Sequence, residues 1–251
     1  MIGFIVLFIG YFTIVYLVRN THNLALFVVS NDQKRELHEY FKNKFSFYNQ
    51  LNVSNQNRFL YRVIVFQKIN KIKVHEDIKH VSEDIDLLVC AAFAQITFGY
   101  TDFTISSFSK ILIYPDTFYS KLANANVNGL TVGNGFIYLS WNHFLRGYQN
   151  REDRINLALH ELAHALYIDR FHYKRDFNWF LWEEKASPVF KQINNNDEID
   201  FFRDYAKTNM AEFWAVCVEC FFEDPHNFNQ EFPELYEATA KVLNLNMLAL
   251  N

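Results

Sequence analysis

The stretch INLALHELAHALYIDRF, residues 155–171, decides how the rest of this chain is read. By composition it is an apolar helix, yet it carries His160, Glu161 and His164. An α-helix turns about 100° per residue, so side chains four apart stack on one face, and two imidazoles so spaced can grip a single ion. A glutamate directly after the first histidine then points beside that ion. H-E-x-x-H on a helix is the outline of a zinc site with a carboxylate base. With nine histidines in 251 residues, a chance match is expected only about 0.02 times. Burying two imidazoles and a carboxylate in this apolar run with no partner would also be costly. Upstream, HEDIKH sets His75 and His80 five apart, about 140° around a helix, so those two cannot share an ion and read as surface residues.

Zinc needs a third protein ligand and, where it is catalytic, an open fourth position. A histidine six residues after His164 would be the metzincin solution, but Arg170 stands there and Tyr167 replaces the expected glycine. Glu183 and Glu184, in EEKASP, fall near the thermolysin-like spacing, although Pro188 stands where that pattern wants an acidic residue. Glu212, in YAKTNMAEFWAVCVECFF, is a lone carboxylate near the start of a strongly apolar helix and asks for a partner such as a metal. Spacing alone leaves these glutamates in competition. Glu219 shares a helical face with Glu212, as a support for a histidine or as a solvated residue. Cys217 and Cys220 form C-x-x-C but sit in an apolar helix, and read as small buried hydrophobes. Trp141 and Trp214 lie near the motifs and are candidates to line a cleft.

The chain is 50% hydrophobic and 21% charged, enough to bury one substantial core. Its formal net charge of −4 is spread along the sequence, which gives no electrostatic footprint for direct nucleic-acid binding. Three cysteines cannot staple a fold of this size and indicate reduced thiols. Helices are expected from Asn31 or Asp32 through Phe45, over NRFLYRVIVFQKINKI from Asn57, and over SEDIDLLVCAAFAQITF from Ser82. FSKILIYP before Asp116 and GFIYLSW from Gly135 are β-branched and aromatic, and read as strands flanking the Asn- and Gly-rich segment 124–134. GFIYLSW is the expected edge strand for extended peptide. Asn150 is the expected cap of the H-E-x-x-H helix, with Glu152 and Asp153 in its first turn. The fold class is α+β, mainly helical with a small β-sheet.

Residues 2–18, IGFIVLFIGYFTIVYLV, carry no charge and end at Arg19. At 1.5 Å per residue they span about 26 Å, close to the hydrocarbon core of a bilayer. The expected organisation is therefore an N-terminal transmembrane anchor, residues 1–20, followed by a domain over 21–251. Basic residues on the C-terminal side put that domain in the cytoplasm of a membrane-anchored protein.

NLALHELAHAL, YAKTNMAEFWAVCVECFFEDP and the following FPELYE resemble signature blocks of the Mlc titration factor A family of zinc-dependent peptidases. ILIYPDTF and GFIYLSWNHFLRG resemble its central segments, so the likeness covers roughly residues 35–245. The catalytic core of that family is similar to that of the anthrax lethal factor protease. The resemblance implies a zincin-like fold and one zinc ion held by His160, His164 and Glu212. It also implies Glu161 as general base and Tyr205, seven residues before Glu212, as the partner of the oxyanion. It further implies a peptide or protein substrate, with aminopeptidase action as one form. Its other implication is a transcriptional repressor as a binding partner, so that a regulatory binding role stands beside the enzymatic one.

Overall fold

The computed structural model describes residues 30–78, 83–150, 153–174, 177–195 and 200–250. The chain starts with α1 (Asn31–Lys44) and a short α2 (Ser46–Asn49). Ser30 caps α1, its hydroxyl accepting the Gln33 N–H at 3.2 Å while the Gln33 side chain reaches back, a reciprocal capping box. The cap thus falls one residue before the expected Asn31 or Asp32. Next comes α3 (Val53–Ile69), capped by Asn52 rather than starting at Asn57. It stops at Asn70, whose backbone is extended, and the alternating Lys71, Ile72, Lys73, Val74 form strand β1 (Lys71–Val74) in place of a final helical turn. The helix α4 (Glu83–Ile96) is buried along most of its length.

Strands β2 (Lys110–Tyr114), β5 (Gly129–Val132) and β6 (Phe136–Ser140) join β1 in a four-stranded sheet of order β1-β2-β6-β5. The first three are parallel, and β5 runs antiparallel to β6 at the edge. Between β2 and β5 the chain forms a separate hairpin of β3 (Phe118–Ser120) and β4 (Ala125–Val127). Alternate residues Ile111, Ile113, Ile137 and Leu139 are fully buried toward the helices. The strand in GFIYLSW is thus internal to the sheet, paired on both sides, and Trp141 opens the next helix instead of ending it. Strand β1 forms one edge, and the edge strand next to β6 is β5, inside the segment read as a turn-rich connection. With Gly129 and Thr131 among its four residues, it lacks the apolar run that marks β6.

The second half is helical: α5 (Trp141–Gln149), α6 (Leu157–Tyr167), α7 (Asn178–Asn195), α8 (Met210–Glu223), α9 (Pro225–Glu231) and α10 (Pro233–Leu243). The cap of α6 is Asn156, not Asn150: its carboxamide oxygen accepts the Leu159 N–H at 3.1 Å. A π-helical turn, Ile168–Lys174, continues α6. It buries Arg170, whose guanidinium is held by the Asp102 carbonyl and lies over the Tyr100 ring.

Helices α6 and α8 pack on each other in the centre, with α4 and the sheet against α6. The buried Trp214 of α8 donates its indole N–H to the Ala163 carbonyl of α6 at 3.0 Å, and Trp179 and Trp182 of α7 pack against its ring. Trp214 is therefore a core residue, and Trp141, stacked on Phe144, packs against the same core; neither lines the cleft. Cys217 and Cys220 are buried free thiols, raised by desolvation.

Among the described residues no helix is long and apolar enough to cross a membrane. The expected membrane-anchored localisation is corrected accordingly, and the apolar segment 2–18 on which it rested lies outside the described residues, as does His80.

Candidate metal centre

Helix α6 presents His160 and His164 one turn apart, and α8 presents Glu212 in its first turn, where Asn209 caps the helix. Three atoms converge. His160 Nε2 stands 2.9 Å from Glu212 Oε2, His164 Nε2 stands 3.2 Å from the same oxygen, and the two Nε2 atoms are 3.2 Å apart. A small divalent cation with bonds of about 2.0–2.1 Å in tetrahedral geometry keeps neighbouring ligand atoms about 3.3 Å apart. The triangle matches that edge length closely, so the donor set fits a metal ion. Among the described residues this is the one group of three such side chains able to hold one. Glu183 and Glu184 lie on α7 and are not brought to it.

The electrostatics follow from the packing. Burial pulls the His160 imidazole down, but hydrogen bonds with Glu212 and Glu219 outweigh it and push the pKa up to about 9. Burial raises Glu212, yet the same histidines hold it well below the usual carboxylate range. Protons and a metal ion compete for these lone pairs. Glu161 is buried, and desolvation raises it against the pull of His160, His164 and a hydrogen bond from Thr131. Thr131 Oγ1, on edge strand β5, lies 2.8 Å from Glu161 Oε2. The strand backbone comes closer still, because a Cβ added at Gly129 would lie 2.4 Å from Glu161 Oε1. Tyr205, in the 3-10 turn Asp204–Lys207, sets its ring centroid 5.6 Å from that of His160. Burial and the charges of Glu212 and Glu161 raise its phenol, which therefore keeps its proton.

His160, Glu161 and Tyr205 line a cleft of about 590 Å³, whose walls also include residues 126–129, His143, Arg146 and Gly147 of α5, Arg203 and Glu219. Sequence comparison decides the family. The family model for glucose-regulated metallo-peptidase M90 matches residues 19–243. The chain belongs to this metallo-peptidase family. Mlc titration factor A of Salmonella agona is 29% identical over 182 residues, 62% of this chain and 65% of that protein, so the match spans just under two thirds of the relative. An uncharacterized protein of Synechocystis sp. is 22% identical over 193 residues, 67% of this chain and 69% of its own.

In this member of the family the structure brings His160, Glu161, His164, Tyr205 and Glu212 close together. It adds a buried support that sequence left open or missed. Glu219 is fully buried, and its Oε2 lies 3.2 Å from His160 Nδ1. Its other oxygen accepts the Asn156 N–H at 2.8 Å, and Arg203 Nη2 forms an ion pair with Oε2 while standing 3.0 Å from His160 Nδ1. A carboxylate oxygen at Nδ1 favours the tautomer protonated there, in which the Nε2 lone pair faces Glu212 and His164. Arg203 also lies against the Tyr205 ring, 5.6 Å from its centroid. The sequence signal for Glu219 was its seven-residue offset from Glu212; Arg203, Thr131 and Asn156 had none.

Proposed function

We propose that the chain is a zincin-like, zinc-dependent peptidase in which His160, His164 and Glu212 hold the ion. The observation that carries the reading is the triangle of three ligand atoms with the Glu161 carboxylate buried beside it. Two imidazoles and one carboxylate are a donor set for catalytic zinc, with a fourth position left open. Bound there, zinc would polarise the scissile carbonyl and acidify a water.

The protein's own groups do the rest. Glu161, raised by burial and oriented by Thr131, is placed to take a proton from the water and return it to the leaving amine. Tyr205 retains its proton and is placed to donate to the oxygen that gains charge in the transition state. Glu219 fixes the His160 tautomer, and Gly129 lets the edge strand β5 run close beside Glu161, where extended peptide can pair with it.

The test is Glu161→Gln on purified protein. Metal content by mass spectrometry should stay near one ion per chain, while hydrolysis of a peptide library should fall by about 10² to 10⁴-fold. Turnover at the wild-type rate would defeat the assignment. A second reading rests on the name of the Salmonella relative, a titration factor for Mlc. Under it the domain captures a protein partner, and Glu161→Gln would leave that capture intact.

A further inference from the structure

We propose, on the basis of the peptidase reading above, that Arg146 makes the cleft select substrates bearing a carboxylate at a position away from the reacting carbonyl. The side wall of the cleft is α5, which turns His143, Arg146 and Gly147 toward it. These residues, three and four apart, share one helix face, while Trp141, Phe144 and Tyr148 pack on the core side. Asn126, Val127 and Asn128 also line the cleft.

The wall is tied rigidly to the metal helix. A Cβ at Gly147 would stand 2.9 Å from the Asn156 Cα, and Asn156 Nδ2 donates to the Gly147 carbonyl at 3.3 Å. Asn156 caps α6 one turn before His160, so the backbone of Arg146 keeps a set distance from the metal centre while its side chain stays exposed.

The acceptors on and beside this wall already have partners. Asp153 accepts from Asn150 Nδ2 at 2.7 Å and from the Ile155 N–H at 3.1 Å. Asp116 accepts from the Thr117 N–H at 2.8 Å and Asn142 Nδ2 at 3.1 Å. Asn128 Oδ1 accepts from Thr117 Oγ1 at 2.6 Å, and His143 Nδ1 is engaged with Ser140 Oγ at 2.8 Å. Arg203, the other arginine of the cleft, is held by Glu219. The charge of Arg146 reaches Asp116, but among the described residues its guanidinium makes no hydrogen bond or ion pair. The unspent group is a planar fork of N–H donors, whose matching ligand is a carboxylate taken through two parallel bonds. An extended peptide beside β5 can offer one from an Asp or Glu side chain or from its own C-terminus.

The experiment compares paired peptides that differ only by Asp against Asn, or Glu against Gln, at each flanking position. Each is made with a free or an amidated C-terminus. Wild-type zinc-loaded protein should favour the acidic member by about two- to fivefold in kcat/KM, the scale of an ion pair to an exposed guanidinium. Arg146→Ala should bring that ratio to about one, with the loss falling on KM. Arg146→Glu should invert it in favour of lysine at the same position. A contrast that follows the C-terminal amide alone assigns the carboxylate to the chain end; one that follows Asp or Glu assigns it to a side chain. Fluorescence anisotropy of the same peptides on the Glu161→Gln protein reads binding without turnover. If the wild type cleaves none of the peptides, the peptidase reading falls, while the binding contrast still decides the role of Arg146. An acidic-to-neutral ratio equal in wild type and both variants, in hydrolysis and in binding, overturns the proposal.

Discussion

Glu219 sits behind the imidazole of His160, and its removal tests whether the proposed metal site depends on more than its direct contacts. Glu219→Gln keeps the shape but removes the charge that draws the proton to Nδ1 and balances Arg203. The expected result is a metal affinity lower by about 10- to 100-fold in competition with a chelator; an unchanged affinity would reduce Glu219 to a packing residue. The proposed third ligand has a sharper test. Glu212→Ala should leave the purified protein without metal, whereas Glu183→Ala should keep full stoichiometry, since Glu183 lies on α7 outside the triangle. Retention of metal by the first variant and loss by the second would return the thermolysin-like spacing. The sequence disclosed His160, Glu161 and His164 because helical geometry relates residues four apart. Glu212 and Tyr205 needed a family resemblance. Thr131, Arg203 and Asn156 stayed hidden because they join the site across 30, 43 and 63 residues of chain, separations that no local period encodes.

Strand β5 contributes two things to the site, the Thr131 hydroxyl and the bare backbone at Gly129. Gly129→Ala would force a methyl within 2.4 Å of Glu161 Oε1, so the carboxylate or the strand must shift. Overpacking of this kind typically costs about 1–3 kcal/mol. The expected outcome is a lower unfolding midpoint in denaturant and a larger fall in turnover, at unchanged metal content. Wild-type turnover in that variant would show that the strand does not position the base. The strand was illegible because its pattern, Gly-Leu-Thr-Val, is too short and polar to stand out between Asn-rich turns. By contrast β2 and β6 announced themselves through β-branched and aromatic runs. The sequence could not tell edge from centre, which depends on strand order, and the apolar strand proved to be the inner one.

At the scale of the molecule, the proposed ligands come from two helices, α6 and α8, that meet through a shared core, so on that reading metal binding and folding are coupled. An ion at 100 times its dissociation constant stabilises the native state by about 2.7 kcal/mol. For a chain of this size that corresponds to a loss of about 5–10 °C in Tm when a chelator strips the metal. Calorimetry should show this shift in the wild type and none in Glu212→Ala.

Three of the four tryptophans, Trp179, Trp182 and Trp214, lie with ring centroids 4.4 to 6.5 Å apart. The indole of Trp214 is two residues from Glu212 and hydrogen-bonded to the residue before His164. Chromophores this close exchange excitation, and their near-ultraviolet circular dichroism and emission depend on mutual angle. The fold thus places an optical gauge across the junction of α6 and α8. A change in how α6 and α8 meet can be followed in real time, with no label attached.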